Sequence, residues 1–279
     1  MKLRQAVVAG HFYPGDKTML QNMLKDLIVP VTKINNSFAV IAPHAGYIYS
    51  GKTAGKVYSS VDIPDTVIIM SPNHTGLGHP ISLHPAETWS TPLGNVQVDL
   101  DLLDKIKKKI PQAELDPNAQ LREHALEVHI PFLQTLNPNV KIVPITLSGL
   151  PFDAINKLGI ALAEIIIDVE RTAGYRPLIV ASSDMTHFED AEAAKIKDMQ
   201  AIDKIKQLDT KGFLHTIEKE NITLCGLYPI SVTIEALLHY SKIKKLTPKV
   251  ELIDYTNSGQ VTGDMNEVVA YAGIVMSLG

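Results

Sequence analysis

Three histidines in this chain each follow a short apolar run. His44 comes after FAVIAP, His74 after TVIIMSPN and His187 after PLIVASSDMT. Imidazole moves protons near neutral pH and ligates zinc, iron and copper, so three in one topological position point to a shared site. The only cysteine, Cys225, stands in LCGLYP just ahead of an expected helix. Exposed N–H groups and the positive end of a helix dipole there favour thiolate. Two imidazoles and a thiolate form a three-ligand set with an open position, suited to zinc, iron or copper. Asp184 lies three residues before His187 in SSDMTH. A carboxylate beside an imidazole can fix its tautomer and raise its basicity, and the same Asp can also cap a helix start.

REHALEVH offers His124, Glu127 and His129. On a helix, His124 and Glu127 share a face, whereas His124 and His129 do not, so this is not the HExxH zinc pattern. At most one of the two histidines points into a site, and His129, directly before Ile130-Pro131, can reach the crevice. GYIYSGKT (46–53) satisfies the phosphate-loop pattern GxxxxGK[ST] after a strand and before a helix. Its interior Tyr-Ile-Tyr-Ser fits poorly, because a phosphate cradle needs small residues free to adopt unusual backbone angles. Nor does a strand end in the acidic residue that magnesium would use.

These residues need elements to hold them. Periodicity and turn signals predict strands at 38–42, 66–70, 141–147 and 177–182, each followed by a loop. Late strands follow at 249–255 and 267–276. Helices are expected at 17–28 (capped by Asp16), 51–60, 100–110, 122–136, 152–169, 190–207, 209–219 and 228–241. The stretch 79–100 is rich in Pro and Thr and reads as an excursion with two short strands. Strands alternating with helices imply a three-layer α/β/α fold around a central, largely parallel mixed sheet. In such sheets ligands bind beyond the carboxyl ends of the strands, where the three histidines lie.

The 279 residues, 45% apolar and 20% charged, suit one α/β domain spanning 1–279. A net charge of −4 gives no general basic field for nucleic acid or membrane. One cysteine fits a reducing compartment. With no secretory leader pattern and no run of ~20 apolar residues, a cytoplasmic location is expected.

With these residues in hand, the chain resembles the Memo family. The matching pieces run in order over nearly its whole length: AGHFYP (9–14), IAPHAGYIYSG (41–51), SPNH (71–74), WSTPLG (89–94), REHALEVHIP (122–131), SSDMTH (182–187), TLCG (223–226) and YAG (271–273). The resemblance implies a fold similar to class III extradiol dioxygenases, which are non-haem iron enzymes. It implies metal-binding positions at His44, His74 and Cys225, and a pocket lined by Asp184 and His187. It sets Phe12 and Tyr49 near the mouth, where a eukaryotic relative takes up phosphotyrosine peptide. The dioxygenases carry a carboxylate where this chain has Cys225, a departure that bears on ring cleavage. His11 stands where some relatives have a small residue. A radical-SAM protein is the implied pathway partner.

The first reading is a metal-dependent oxidoreductase using iron or copper on a small molecule. His44, His74 and Cys225 hold the metal, and His187, oriented by Asp184, handles protons. The second is a non-catalytic module that binds a peptide or small ligand through Phe12, Tyr49 and the histidines. The third is zinc-dependent hydrolysis by the same ligands.

Overall fold

Four apolar runs become buried parallel strands, and their order in space builds the site. The computed structural model describes residues 2–279. After a short first strand, β1 (Leu3–Arg4), comes α1 (Lys17–Leu27), whose first turn is closed by Asp16 accepting from Met19 N at 2.9 Å. Then come β2 (Ser37–Ala42), α2 (Tyr47–Ser59) and β3 (Thr66–Pro72). The excursion holds β4 (Ile81–Leu83), β5 (Thr88–Thr91) and β6 (Gly94–Val98), followed by α3 (Leu100–Lys109) and β7 (Glu114–Leu115). Next are α4 (Ile130–Leu136), β8 (Lys141–Leu147), α5 (Phe152–Ala173) and β9 (Leu178–Ser182). The last part comprises β10 (His187–Glu189), α6 (Ala191–Lys206), α7 (Thr210–Lys219), α8 (Leu227–Lys244), β11 (Pro248–Asn257), α9 (Gly259–Thr262) and β12 (Val268–Leu278).

The sheet runs β1-β5-β6-β8-β3-β9-β2-β12-β10, with β11 on the free side of β12. From β6 to β2 the neighbours are parallel, while β12 and β11 are antiparallel. Helices flank this mixed sheet in three layers, α2 packing on β2, β11 and β12, and α8 on β3, β9 and β2. The chain lays down β2, β3 and β8 before returning to insert β9 between β3 and β2. That return is a topological switch point, where loops diverge and leave a crevice. It brings the carboxyl ends of β2, β9 and β3 together, and with them His44, Ser183-Asp184 and His74. β2, β3 and β9 are buried over nearly their whole length, as continuous apolar runs in a doubly covered sheet must be.

The structure differs from the sequence reading in three places that matter to the site. α2 starts at Tyr47, not 51, so the interior of GYIYSGKT is a helical turn. Tyr47 N is taken by Phe12 O, and Tyr49 N and Ser50 N by Gly46 O, so no phosphate cradle forms. The glycines of that motif serve packing. A Cβ on Gly51 would lie 2.8 Å from Leu27 Cδ1, and one on Gly55 would overlap the Leu27 carbonyl oxygen. Gly55→Ala is therefore expected to lower stability by about 1–3 kcal/mol in urea denaturation, and an unchanged midpoint would contradict this close α1–α2 contact.

The stretch 79–100 carries three strands where two were expected. The stretch 122–136 is helical only from its second third. A single 3₁₀ turn at Glu127–His129 leads into α4, with Pro131 in its first turn. The cause is local. The Glu123 carboxylate accepts from His124 N at 2.9 Å and Ala125 N at 3.0 Å, satisfying these groups without a helix. Glu127 is also fully buried and accepts from Arg4 Nη1 at 2.6 Å, Val8 N at 3.0 Å and Tyr13 Oη at 2.7 Å. It thereby clamps the N-terminal segment to this loop. The same segment caps α2, whose first residue donates from Tyr47 N to Phe12 O at 2.8 Å. Among the described residues, no helix is long and apolar enough to cross a membrane.

Candidate metal centre

His44 lies two residues beyond β2, buried, and His74 lies two residues beyond β3, partly open to solvent. Between them, β9 contributes Ser182 and the loop that follows it. The His44 ring is held by Ser182 Oγ, 2.7 Å from Nδ1. His44 N donates to Asp184 Oδ1 at 2.7 Å, and Ala45 N does so at 3.3 Å. His74 is fixed twice by Glu123, which accepts from its backbone N at 2.6 Å and its Nδ1 at 2.9 Å. A carboxylate acceptor at Nδ1 leaves Nε2 of His74 with its lone pair outward, the arrangement that metal-ligating histidines commonly share.

The third imidazole belongs to His124. Its ring stacks on His74 with centroids 4.7 Å apart and an interplanar angle of 20°, and it meets His44 edge-on at 5.4 Å. Ring nitrogens of His44, His74 and His124 all lie within 4.8 Å of one another, close enough to share one metal ion. Phe12 packs against His124, ring to ring at 4.5 Å. Cys225 joins through His44, with Sγ 3.1 Å from His44 Nε2.

Burial pushes His44 well below the ordinary imidazole value, and the neighbouring histidines add to this. Burial likewise brings His124 down to about 4. Burial works to lower His74 too, but the hydrogen bond and charge of Glu123, with help from Asp184, outweigh it and raise the ring above its ordinary value. Glu123 answers in the opposite sense. Burial works against its charge, but His74 and the backbone N–H groups of Ala125 and His74 hold it below the usual carboxylate range. Two of the three imidazoles are thus neutral at pH 7, the form that binds metal without first losing a proton.

The remaining residues singled out in the sequence fall into place around this core. Asp184 is buried and does not pair with His187. Its carboxylate holds the His44 loop, with Oδ2 3.9 Å from His44 Nε2. His187 is half-buried, its backbone N donates to Thr223 Oγ1 at 2.8 Å, and its Nδ1 has no partner among the described residues. Cys225 is not poised as a thiolate. Burial pushes its thiol well up and the Asp184 charge adds to it, outweighing hydrogen bonds from the Asp184 and Cys225 backbone and from Ser183. Its sulfur instead accepts from Asp184 N at 3.1 Å. His129 is buried with both ring nitrogens occupied inside the protein, Nδ1 by Tyr58 Oη at 2.9 Å and Nε2 by Ser182 Oγ at 2.7 Å. Tyr49 lines a separate cavity of about 930 Å³ with Lys52, Tyr255 and Asn257, outside the histidine cluster. His124, named in the sequence but passed over in favour of His129, and Glu123 and Ser182, which the sequence reading did not single out for the site, complete this cluster. Helical periodicity imposed on 122–136 hid the first two.

Asp184 gives the site a testable pH signature. Burial raises its carboxyl to about 7 from the ordinary 3.8, against the hydrogen bonds from His44 and Ala45. The folded chain therefore binds this proton more tightly than the unfolded chain does. Stability is greatest below the ordinary value and is lost as pH rises toward 7. At ~1.4 kcal/mol per pKa unit, the difference amounts to at most about 4 kcal/mol. Metal-free Asp184→Asn lacks this proton, so wild type should lose stability relative to the variant between pH 4 and pH 8. Parallel pH profiles in urea denaturation would show that Asp184 titrates normally.

Comparison with known proteins adds the lineage. The family model described as "Memo-like protein" matches residues 4–275. A "MEMO1 family protein" of Aquifex aeolicus (strain VF5) is 42% identical over 279 residues, covering 99% of each chain. One from Archaeoglobus fulgidus is 40% identical over 273 residues, covering 98% of this chain and 99% of its own. Another from Methanosarcina acetivorans is 38% identical over 278 residues, covering 99% of this chain and all of its own. With the match running from Arg4, in the clamp on Glu127, to Val275 in the last strand, the chain belongs to the Memo family.

Proposed function

We propose that this protein is a metal-dependent oxidoreductase acting on a small molecule, with iron or copper held by His44, His74 and His124. The observation that carries this reading is the convergence of three imidazoles, two of them backed at Nδ1 by Glu123 and Ser182. Imidazole sets suit iron, copper and zinc, whereas magnesium and calcium prefer oxygen. Cys225, 3.1 Å from His44 Nε2, offers a further soft donor at the edge of the set. When bound, iron or copper would supply the capacity to exchange electrons with a substrate or with dioxygen.

The protein's own residues do the rest. Asp184, buried and raised to about 7, can take up or return a proton near neutral pH. His187 has a buried Nδ1 with no partner among the described residues, and burial disfavours the charged form of its ring. Phe12 packs against the His124 ring at 4.5 Å. The ligand is a small molecule or peptide end entering past Phe12. The setting is cytoplasmic, consistent with a lone free thiol, and the radical-SAM partner belongs to this proposal.

Zinc-dependent hydrolysis is the second reading, favoured by a three-histidine donor set of the kind zinc hydrolases use and a carboxyl poised near neutrality. The test is anaerobic loading of purified protein with Fe(II) or Cu, followed by metal analysis and oxygen uptake with catechol-like compounds. Wild type is expected to retain stoichiometric metal and His44→Ala to lose it. Equal retention by the two would defeat the metal centre. Redox-silent zinc in protein purified without chelator would move the assignment to hydrolysis. Metal retention without turnover of any compound would leave a binding module.

A further inference from the structure

Ser182, the last residue of β9, is fully buried, and its hydroxyl has three neighbours. His44 Nδ1 and His129 Nε2 each lie 2.7 Å away, and the Ala125 carbonyl oxygen lies at 2.8 Å. A hydroxyl has one proton to donate and two lone pairs to accept with, while a carbonyl oxygen can only accept. If the hydroxyl proton pointed at either ring, Ser182 Oγ and Ala125 O would face each other lone pair to lone pair at 2.8 Å. The proton therefore goes to Ala125, and both ring nitrogens must donate to Ser182.

The far end of the chain agrees. With its proton on Nε2, His129 accepts at Nδ1 from the Tyr58 hydroxyl, 2.9 Å away. The opposite tautomer would leave the fully buried Tyr58 proton with no acceptor, at the cost of an unmade hydrogen bond. Every donor and acceptor in the chain Tyr58–His129–Ser182–His44 is then satisfied in one way only.

We infer that Ser182 is a positioning residue that holds His44 in its Nδ1–H form, leaving the Nε2 lone pair turned toward Cys225 and the site. The inference rests on the metal-centre reading only for the use to which that lone pair is put. A neutral imidazole carries one ring proton, so the tautomer decides whether His44 can ligate at all. The chain ends at a fully buried phenol, Tyr58, and does not lead a proton to solvent there. Its role is to fix orientation, in the manner of residues that back metal-bound histidines.

The test uses metal-free protein with ¹⁵N-labelled histidine and long-range ¹H–¹⁵N correlation spectra. His44 in wild type is expected to show a protonated Nδ1 and a bare Nε2, and the reverse pattern overturns the inference. Ser182→Ala should lose that exclusive pattern at His44. Tyr58→Phe should free the His129 tautomer and leave His44 unchanged. If both variants move His44, or neither does, Ser182 is not what fixes it. Should Ser182→Ala fail to fold, the wild-type spectrum alone still decides. Metal titration of the folded variant should show affinity weakened about 10–100-fold. Wild type that binds no metal would sink the proposed function while the tautomer assignment stood.

Discussion

Metal-free His124→Ala is expected to fold normally yet to lose metal retention, while His129→Ala is expected to retain the ligand set and lose stability. The two histidines stand five residues apart, and the structure gives them opposite tasks. His124 is partly open, stacked on His74, with its Nδ1 3.5 Å from Glu123 Oε1. Removing it deletes one of three converging nitrogens at modest structural cost. His129 is buried, and its removal orphans the Tyr58 hydroxyl and empties the space between Tyr58 and Ser182. An unsatisfied buried group and the accompanying cavity together cost about 2–4 kcal/mol. Equilibrium dialysis against Fe(II), Cu or zinc, set beside urea denaturation, separates the two outcomes. If His129→Ala loses metal at full stability, or His124→Ala keeps it, the assignment of His124 to the centre fails.

Glu123→Ala should damage both properties at once. Its carboxylate accepts from His74 N, His74 Nδ1, His124 N and Ala125 N, all at 3.0 Å or less. It thereby positions two of the three imidazoles and shapes the loop that carries one of them. Losing a buried charged partner of this kind costs about 3–5 kcal/mol of stability. Metal affinity should fall by at least about 10–100-fold, as it does when an outer partner of a ligand is removed. The pair also has a pH window. Glu123 is held below its ordinary value of 4.5, so its contribution is present above that value and fades as pH falls through the folded value. His74 is held above its ordinary 6.5, so its part is complete below that value and fades as pH rises through the folded value. The deficit of metal-free Glu123→Ala should therefore be largest between pH 4.5 and 6.5. A deficit that is flat from pH 3 to 8 would mean that Glu123 acts only as a neutral hydrogen-bond acceptor.

The expectation of a three-layer α/β/α fold followed from local features. Continuous apolar runs such as SFAVIA can be covered only in a doubly flanked sheet, and Asp16 closes the first turn of its helix through a contact three residues away. The placing of His44 and His74 beyond strand ends was legible for the same reason, since Pro43 and Pro72 terminate the runs before them. These are short-range effects, and a linear chain displays them.

What the chain alone did not display was the order β3-β9-β2, which puts His44 and His74 on either side of Ser182. Nor did it display the behaviour of 122–126. There the helical period of the sequence is overruled by Glu123, whose partner His74 lies 49 residues away. For the same reason Asp184 serves the His44 loop, 140 residues distant, and not its near neighbour His187. The sequence by itself determined the layers and which strand ends carry imidazoles, because strand, turn and cap preferences act within a few residues. Only the tertiary structure decided which histidines meet and which carboxylate orients each. Buried polar groups take whichever partner the packed sheet brings within reach, and that choice depends on strand order rather than on sequence spacing.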